Sequence, residues 1–165
     1  MPDAVGSVKR PDMMSKHNQV LVERRFQISS PQRVFDAWVD PGLAGRWMFD
    51  AAITADRKQE LVDVRIEPRV GGSFSFVVRG NGHIIDHTGR YLHMNRPHRL
   101  VFTWGLAGET QEDRVIVDLV PTGTGSFLTL VHELHAQGLP TADAIEADWI
   151  ARLDALSALL GEPLQ

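Results

Sequence analysis

The groups in this 165-residue chain that could do chemistry are seven histidines, a set of carboxylates, one awkwardly placed arginine and an aromatic series. His83, Asp86, His87 and His93 share one short stretch and suggest a metal site. In a strand, however, positions four apart lie about 13 Å from one another. A zinc ion needs its nitrogens at about 2.1 Å, so no metal is expected. Asp86 with His87, and Glu133 with His132, could form acid–base pairs, but neighbouring strand residues point to opposite faces. The chain has no cysteine, so thiolate chemistry and Cys-based metal centres are excluded. No Gly-x-Ser-x-Gly elbow and no His-Glu-x-x-His helix occurs. Gly71-Gly72 leads into a strand and not a helix, so it reads as a turn with positive φ, not a phosphate cradle. Glu109, Glu112 and Asp113 read as a solvated edge. No catalytic set and no cofactor is expected, and His132 remains as a polar lining group or an acid/base.

Arg24 falls on the strand face that carries Val22, Phe26 and Ile28. A charge facing inward must be paired or wet. Its fork of donors suits a ligand carboxylate or carbonyl, with a structural ion pair as the alternative. Phe26, Trp47, Phe74, Phe76, Tyr91, Phe102, Trp104, Trp149 and Leu153 are apolar or aromatic residues on the predicted elements. They either fill a core or line an apolar pocket of the kind that holds small ligands. In the second case Arg24, Tyr91 and His132 would orient a polar end of the ligand.

These residues need elements to hold them. Residues 19–29 alternate with the strand period of two. Ser30-Pro31 and Asp40-Pro41 each pair a capping side chain with proline at the first helical position. They predict two short helices, reaching Trp38 and about Trp47, and a loop comes next over 49–60. Strands are predicted over 61–67, 73–79, 83–94, 99–105, 111–120 and 127–135. Gly80-Asn81-Gly82 and the Pro121–Gly125 stretch supply tight turns. Ile145, Trp149, Leu153, Leu156 and Leu160 make one stripe of a helix over 141–160. Consecutive strands with short turns imply an antiparallel sheet, and the stripe must be buried on it. The prediction is an α+β domain, a curved sheet of six to seven strands gripping a long C-terminal helix. Residues 1–18 are expected to be a flexible tail, with Met13 or Met14 as an alternative start, and 19–162 a single domain.

Composition narrows the function. The net charge of −4 comes without a basic block, which disfavours nucleic acid and anionic membrane surfaces as partners. No stretch approaches 18 apolar residues, so no membrane span is expected, and a cytoplasmic location is.

The order of elements resembles the helix-grip fold of START-related SRPBCC proteins, the lipid-transfer and birch-pollen-allergen-like domains. The motifs narrow it. RRFQISSPQRVFDAW at 24–38, RVGGSF at 69–74, GRYL at 89–92, RLVFTW at 99–104 and LTLVHE at 128–133 occur in order. They resemble the Aha-type subgroup, named for the activator of the heat-shock-protein-ninety ATPase. Asp148-Trp149 stands where that subgroup usually has Gly-Trp. The resemblance covers about 20–160 and implies a cavity between sheet and helix. It implies binding of a small, mainly hydrophobic or amphipathic ligand, lipid-like molecules included. Some relatives are cyclases, dehydratases or hydrolases, so an enzyme using the same cavity is the second reading. A cochaperone-like or stress-response interaction module is the third. The heat-shock ATPase itself is not the expected partner, because the founding cochaperone acts through an additional N-terminal domain. A homodimer is left open.

Overall fold

A computed structural model describes residues 18–49, 59–135 and 140–164. The expected tail over 1–18 and the 49–60 loop fall almost wholly outside these residues. The described chain runs β1 (Gln19–Phe26), α1 (Pro31–Val39), α2 (Pro41–Met48), β2 (Gln59–Ile66), β3 (Ser73–Gly80), β4 (His83–Asn95), β5 (Arg99–Leu106), β6 (Asp113–Thr122), β7 (Gly125–Glu133) and α3 (Ala142–Leu159). The strands form a seven-stranded antiparallel sheet in the order β1-β7-β6-β5-β4-β3-β2. Six strands form a meander and β1 closes on the last of them. This is the α+β helix-grip arrangement expected from the sequence.

Local chemistry sets the boundaries. The Ser30 hydroxyl accepts from the Arg33 N–H at 3.2 Å, and the Asp40 carboxylate from Gly42 and Leu43. Thr141 caps α3 by accepting from Ala144 N–H at 3.2 Å, satisfying a donor the first turn leaves orphaned. The β3–β4 turn puts Asn81 and Gly82 at φ 53° and 78°, the positive-φ pair that matches the twist of a hairpin. Gly71 also has positive φ, whereas Gly72 is held by space: a Cβ there would meet the Glu67 carbonyl.

The α3 stripe is buried as predicted, with Ile145, Trp149, Leu153, Leu156 and Leu160 all inside. At 18 residues the helix is about 27 Å long. It packs along β1 and against α2. Inward strand positions such as Val20 and Val22 on β1, Leu128 and Leu130 on β7 and Val115, Val117 and Leu119 on β6 complete the core.

The end of α3 is fastened by one side chain. Glu162 accepts from the backbone N–H groups of Gln27 and Ile28 and from the Ser29 hydroxyl, at 2.7 Å for the last. Partial burial pulls its pKa up. The hydroxyl and N–H donors outweigh that and hold the carboxyl below its ordinary value. A lowered carboxylate pKa adds stability above the unfolded-state value and loses it as pH falls through the folded value. Glu162→Gln should therefore lower stability by about 1–2 kcal/mol at pH 7. The gap to wild type should close as urea midpoints are taken below about pH 4.5. A gap that stays constant down to pH 3 would mean that charge plays no part in the fastening.

Candidate functional site

An open cleft of about 780 Å³ lies where the first half of α3 meets β4, the end of β5 and the ends of β6 and β7. Helix periodicity presents Ile145, Asp148, Trp149 and Arg152 on one face of α3 toward it. His87 comes from β4, Trp104 from β5, Asp113 from β6 and His132 from β7, with Gln111 and His135 from the flanking connections.

A buried hydrogen-bonded chain runs through its wall. The Trp149 Nε1–H donates to His132 Nδ1 at 2.9 Å, and His132 Nε2 lies 2.8 Å from Asp113 Oδ2. An indole nitrogen is only ever a donor. Nδ1 must therefore be the acceptor, and Nε2–H donates to the carboxylate. The other Asp113 oxygen accepts from the His135 backbone N–H at 2.9 Å. Burial raises the Asp113 pKa. The hydrogen bonds from the His132 ring and the His135 backbone N–H outweigh it and hold the carboxyl below its usual value. Both ring nitrogens of His132 are engaged, so this histidine orients Trp149 and is not an idle base. Adjacent Glu133 points outward and pairs with Arg114, as strand parity requires.

Aromatic faces and one cation form the floor. The Arg152 guanidinium sits 5.1 Å from the Trp149 ring and 5.5 Å from those of Trp104 and Phe49. Its Nε–H donates to the Met48 carbonyl at 3.1 Å, which ties α3 to α2. His87 stacks on Trp104 at 5.7 Å. Cation–π contact of this kind is attractive and holds both partners in place.

Of the predicted lining residues, Trp104, His132 and Trp149 border the cleft. Phe74, Phe76, Tyr91 and Phe102 lie deeper. With Trp38, Met48, Leu100 and Trp104 they line a separate compartment of about 10 Å³. Their rings pack on one another at 5.6–6.5 Å and so close the space between them. Burial drives the Tyr91 phenol pKa upward. Phe26, Trp47 and Leu153 are core residues, and the Trp47 Nε1–H donates to the Ala37 carbonyl at 2.9 Å. Arg24 pairs with Asp154 of α3 at 2.5 Å and is one-fifth exposed, so it takes the ion-pair alternative and lies outside both spaces. Asp113, expected at a solvated edge, is instead the carboxylate that holds His132.

The signal for Asp113 is present in the sequence. The β6–β7 hairpin pairs Thr122 with Gly125 around a two-residue turn, and counting back pairs Val115 with His132. Asp113 is then the next residue of β6 on the same face. For Arg152 the signal is helical: it stands three residues after Trp149 on the face that carries Ile145.

Residues 29–161 match the family model of activator of Hsp90 ATPase homolog 1-like proteins. No functionally curated protein matches the sequence. Among solved structures, one protein from Chromobacterium violaceum superposes with a TM-score of 0.70 at 22% identity, over 88% of this chain and 99% of that one. An AHSA1-like protein from Aeromonas hydrophila gives 0.70 at 21%, over 87% and 92%. A protein from Rhizobium loti gives 0.69 at 25%, over 86% and 95%. Identities this low establish a shared fold and leave function open. The family match spans most of the chain and agrees with the fold and the motif order, so the chain belongs to the activator of Hsp90 ATPase homolog 1-like family of SRPBCC proteins.

Proposed function

We propose that the protein binds a small amphipathic molecule in the cleft between α3 and the sheet. One observation supports this above the others: about 780 Å³ of open space faces two indole rings, with charged and hydrogen-bonding groups at its rim. Small-molecule sites have this size and this mixture. The apolar part of the ligand would lie against Trp104 and Trp149. Its polar part would face Arg152, Gln111 and His135. The unit that binds is the single domain expected over 19–162. The carboxylates at the rim make the ligand more polar than the mainly hydrophobic one expected from sequence, because the predicted aromatics close on themselves. Catalysis by His132 finds no support in a ring whose two nitrogens are both held.

Native mass spectrometry of freshly purified protein, followed by unfolding, is the first test. A stoichiometric mass that leaves on denaturation would identify the class of ligand. The second test uses 8-anilino-1-naphthalenesulfonate as a probe with Ala144→Trp, which fills the cleft from an exposed position in the first turn of α3. Affinity for the probe should fall at least tenfold while the melting temperature stays unchanged. Probe binding that is absent, or indifferent to this substitution, would overturn the assignment of the cleft.

A further inference from the structure

One residue that lines the inner compartment carries an unusual donor. Trp38 is 5% exposed, and its indole Nε1–H has no hydrogen-bond partner among the described residues. Buried polar groups almost always find a partner, and an exception requires an explanation. The ring of Trp47 stands T-shaped to it at 4.6 Å and offers at most a π face, a weak acceptor. Trp38 also borders the compartment lined by Met48, Phe74, Tyr91, Phe102 and Trp104. Among the described residues, no charged side chain lines that space. A ligand part that enters it must be neutral, because an ion would have no counter-charge there.

Trp104 is the only residue that borders both this compartment and the outer cleft among the described residues. It is the wall between them. On the inner side its ring touches Phe74 and Phe102 at 5.9 and 6.3 Å, and on the outer side His87, Trp149 and Arg152. It is half-buried near the end of β5, and the open cleft gives its indole a place to swing into. Met48 lines the same compartment, and its unbranched thioether repacks easily. At about 10 Å³ the compartment has room for roughly one water molecule. From the outer cleft, a ligand reaches it by displacing Trp104.

We propose that the compartment behind Trp104 is the inner half of the ligand site, and that the Trp38 Nε1–H selects a neutral ring system bearing an acceptor oxygen, such as a carbonyl or ether. This rests on the ligand-binding reading of the cleft and adds the chemistry of the ligand's buried end. The unpaired donor then acts as a discriminator. A site built around a hydrogen-bond donor disfavours an analogue that lacks the acceptor, because the donor is left buried and unsatisfied.

The test is a matched pair of probes, 2-acetylnaphthalene and 2-isopropenylnaphthalene, which differ in shape only by C=O against C=CH₂. Wild-type protein should bind the ketone at least tenfold more tightly. Trp38→Phe should abolish the preference by lowering affinity for the ketone to that for the alkene. Trp104→Ala should speed association of the ketone by removing the wall. A readout without substitution uses protein labelled with ¹⁵N-tryptophan, whose four indole N–H signals are resolved individually. One of them should move downfield with the ketone and stay in place with the alkene. Equal affinities, no saturable binding of the ketone, or a preference that persists in Trp38→Phe would overturn the inference. Should Trp38→Phe not fold, an indole spectrum with no ketone-specific shift overturns it equally. Ketone selectivity with a probe indifferent to Ala144→Trp would uphold the inner site and reject the cleft as its entrance. An Ala144→Trp effect without ketone selectivity would do the reverse.

Discussion

Trp149→Ala should cost about 4 kcal/mol of folding stability, which for a domain of this length lowers the melting temperature by roughly 8–16 °C. Trp149 is 1% exposed, stacks on Trp38 and packs at a tilt against Trp104, both with centroids at 5.9 Å, while Arg152 covers its ring at 5.1 Å. Removing the ring leaves a cavity where sheet, α1 and α3 meet. It also leaves His132 Nδ1 buried without its donor, and that second loss can be isolated. Trp149→Phe keeps most of the ring and removes only the N–H, and should cost about 1–3 kcal/mol. In a His132→Leu background the same change should cost much less, since no acceptor remains to be orphaned. Urea unfolding of the four proteins gives the coupling energy directly. Additive effects would mean that the hydrogen bond is incidental and that Trp149 acts by packing alone.

The same chain of groups explains how the cleft keeps its shape. A helix packed on a sheet by apolar contacts alone can slide, because burial is proportional to area and indifferent to direction. The directed bonds from Trp149 through His132 to Asp113 fix both the rotation and the height of α3 at the cleft. The Arg152 bond to Met48 and the Arg24–Asp154 pair hold it at two further points. Glu162, just beyond the helix, fastens the C-terminal end to the turn after β1. The cleft-facing side of Trp149 is thereby positioned from behind, and its N–H is engaged with His132. In the proposed site, polar recognition would fall to other groups, among them the Trp38 donor.

Much of the fold is legible in the sequence because its signals are local. Ser30-Pro31, Asp40-Pro41 and Thr141 cap the helices they are expected to begin, since capping depends only on side chains within three residues. The α3 stripe is legible because a 3.6-residue period can be read without a partner. The cleft is less so. Strand parity assigns Phe74, Phe76, Tyr91 and Phe102 to the inner face, and they are there. Parity cannot say whether inward rings leave a space or close it, since that depends on distances between strands remote in sequence. Arg24 shows the same limit: its face is readable, but its partner lies 130 residues away on α3. Asp113 escapes a residue-by-residue reading because a carboxylate at a strand start looks solvated until the hairpin register is counted through to His132.

Gly89→Ala should be still more damaging than the loss of Trp149. Gly89 lies in β4 opposite Phe74 of β3, just before the irregular pairing of β4 with β5 between Tyr91 and His93. A Cβ built on it would lie inside contact distance of the Thr103 carbonyl oxygen and of the Phe74 ring. The ring can rotate away, but the carbonyl belongs to the backbone of β5 and moves only with the strand. The same carbonyl is one residue from Trp104, so the strain falls on the wall of the proposed inner site. One methyl group therefore has to separate two central strands or displace the aromatic cluster around Phe74, an overpacking whose cost exceeds the roughly 1–3 kcal/mol usual for an added methylene. The expected result is insoluble protein, or a soluble form with a broadened melt and lost near-ultraviolet circular dichroism. Gly82→Ala is the control: Gly82 has positive φ but no atom within 4 Å of a new Cβ, so it should cost only about 1 kcal/mol of backbone strain. A Gly89→Ala protein that melts within a few degrees of wild type would show that β4 and β5 can separate freely here.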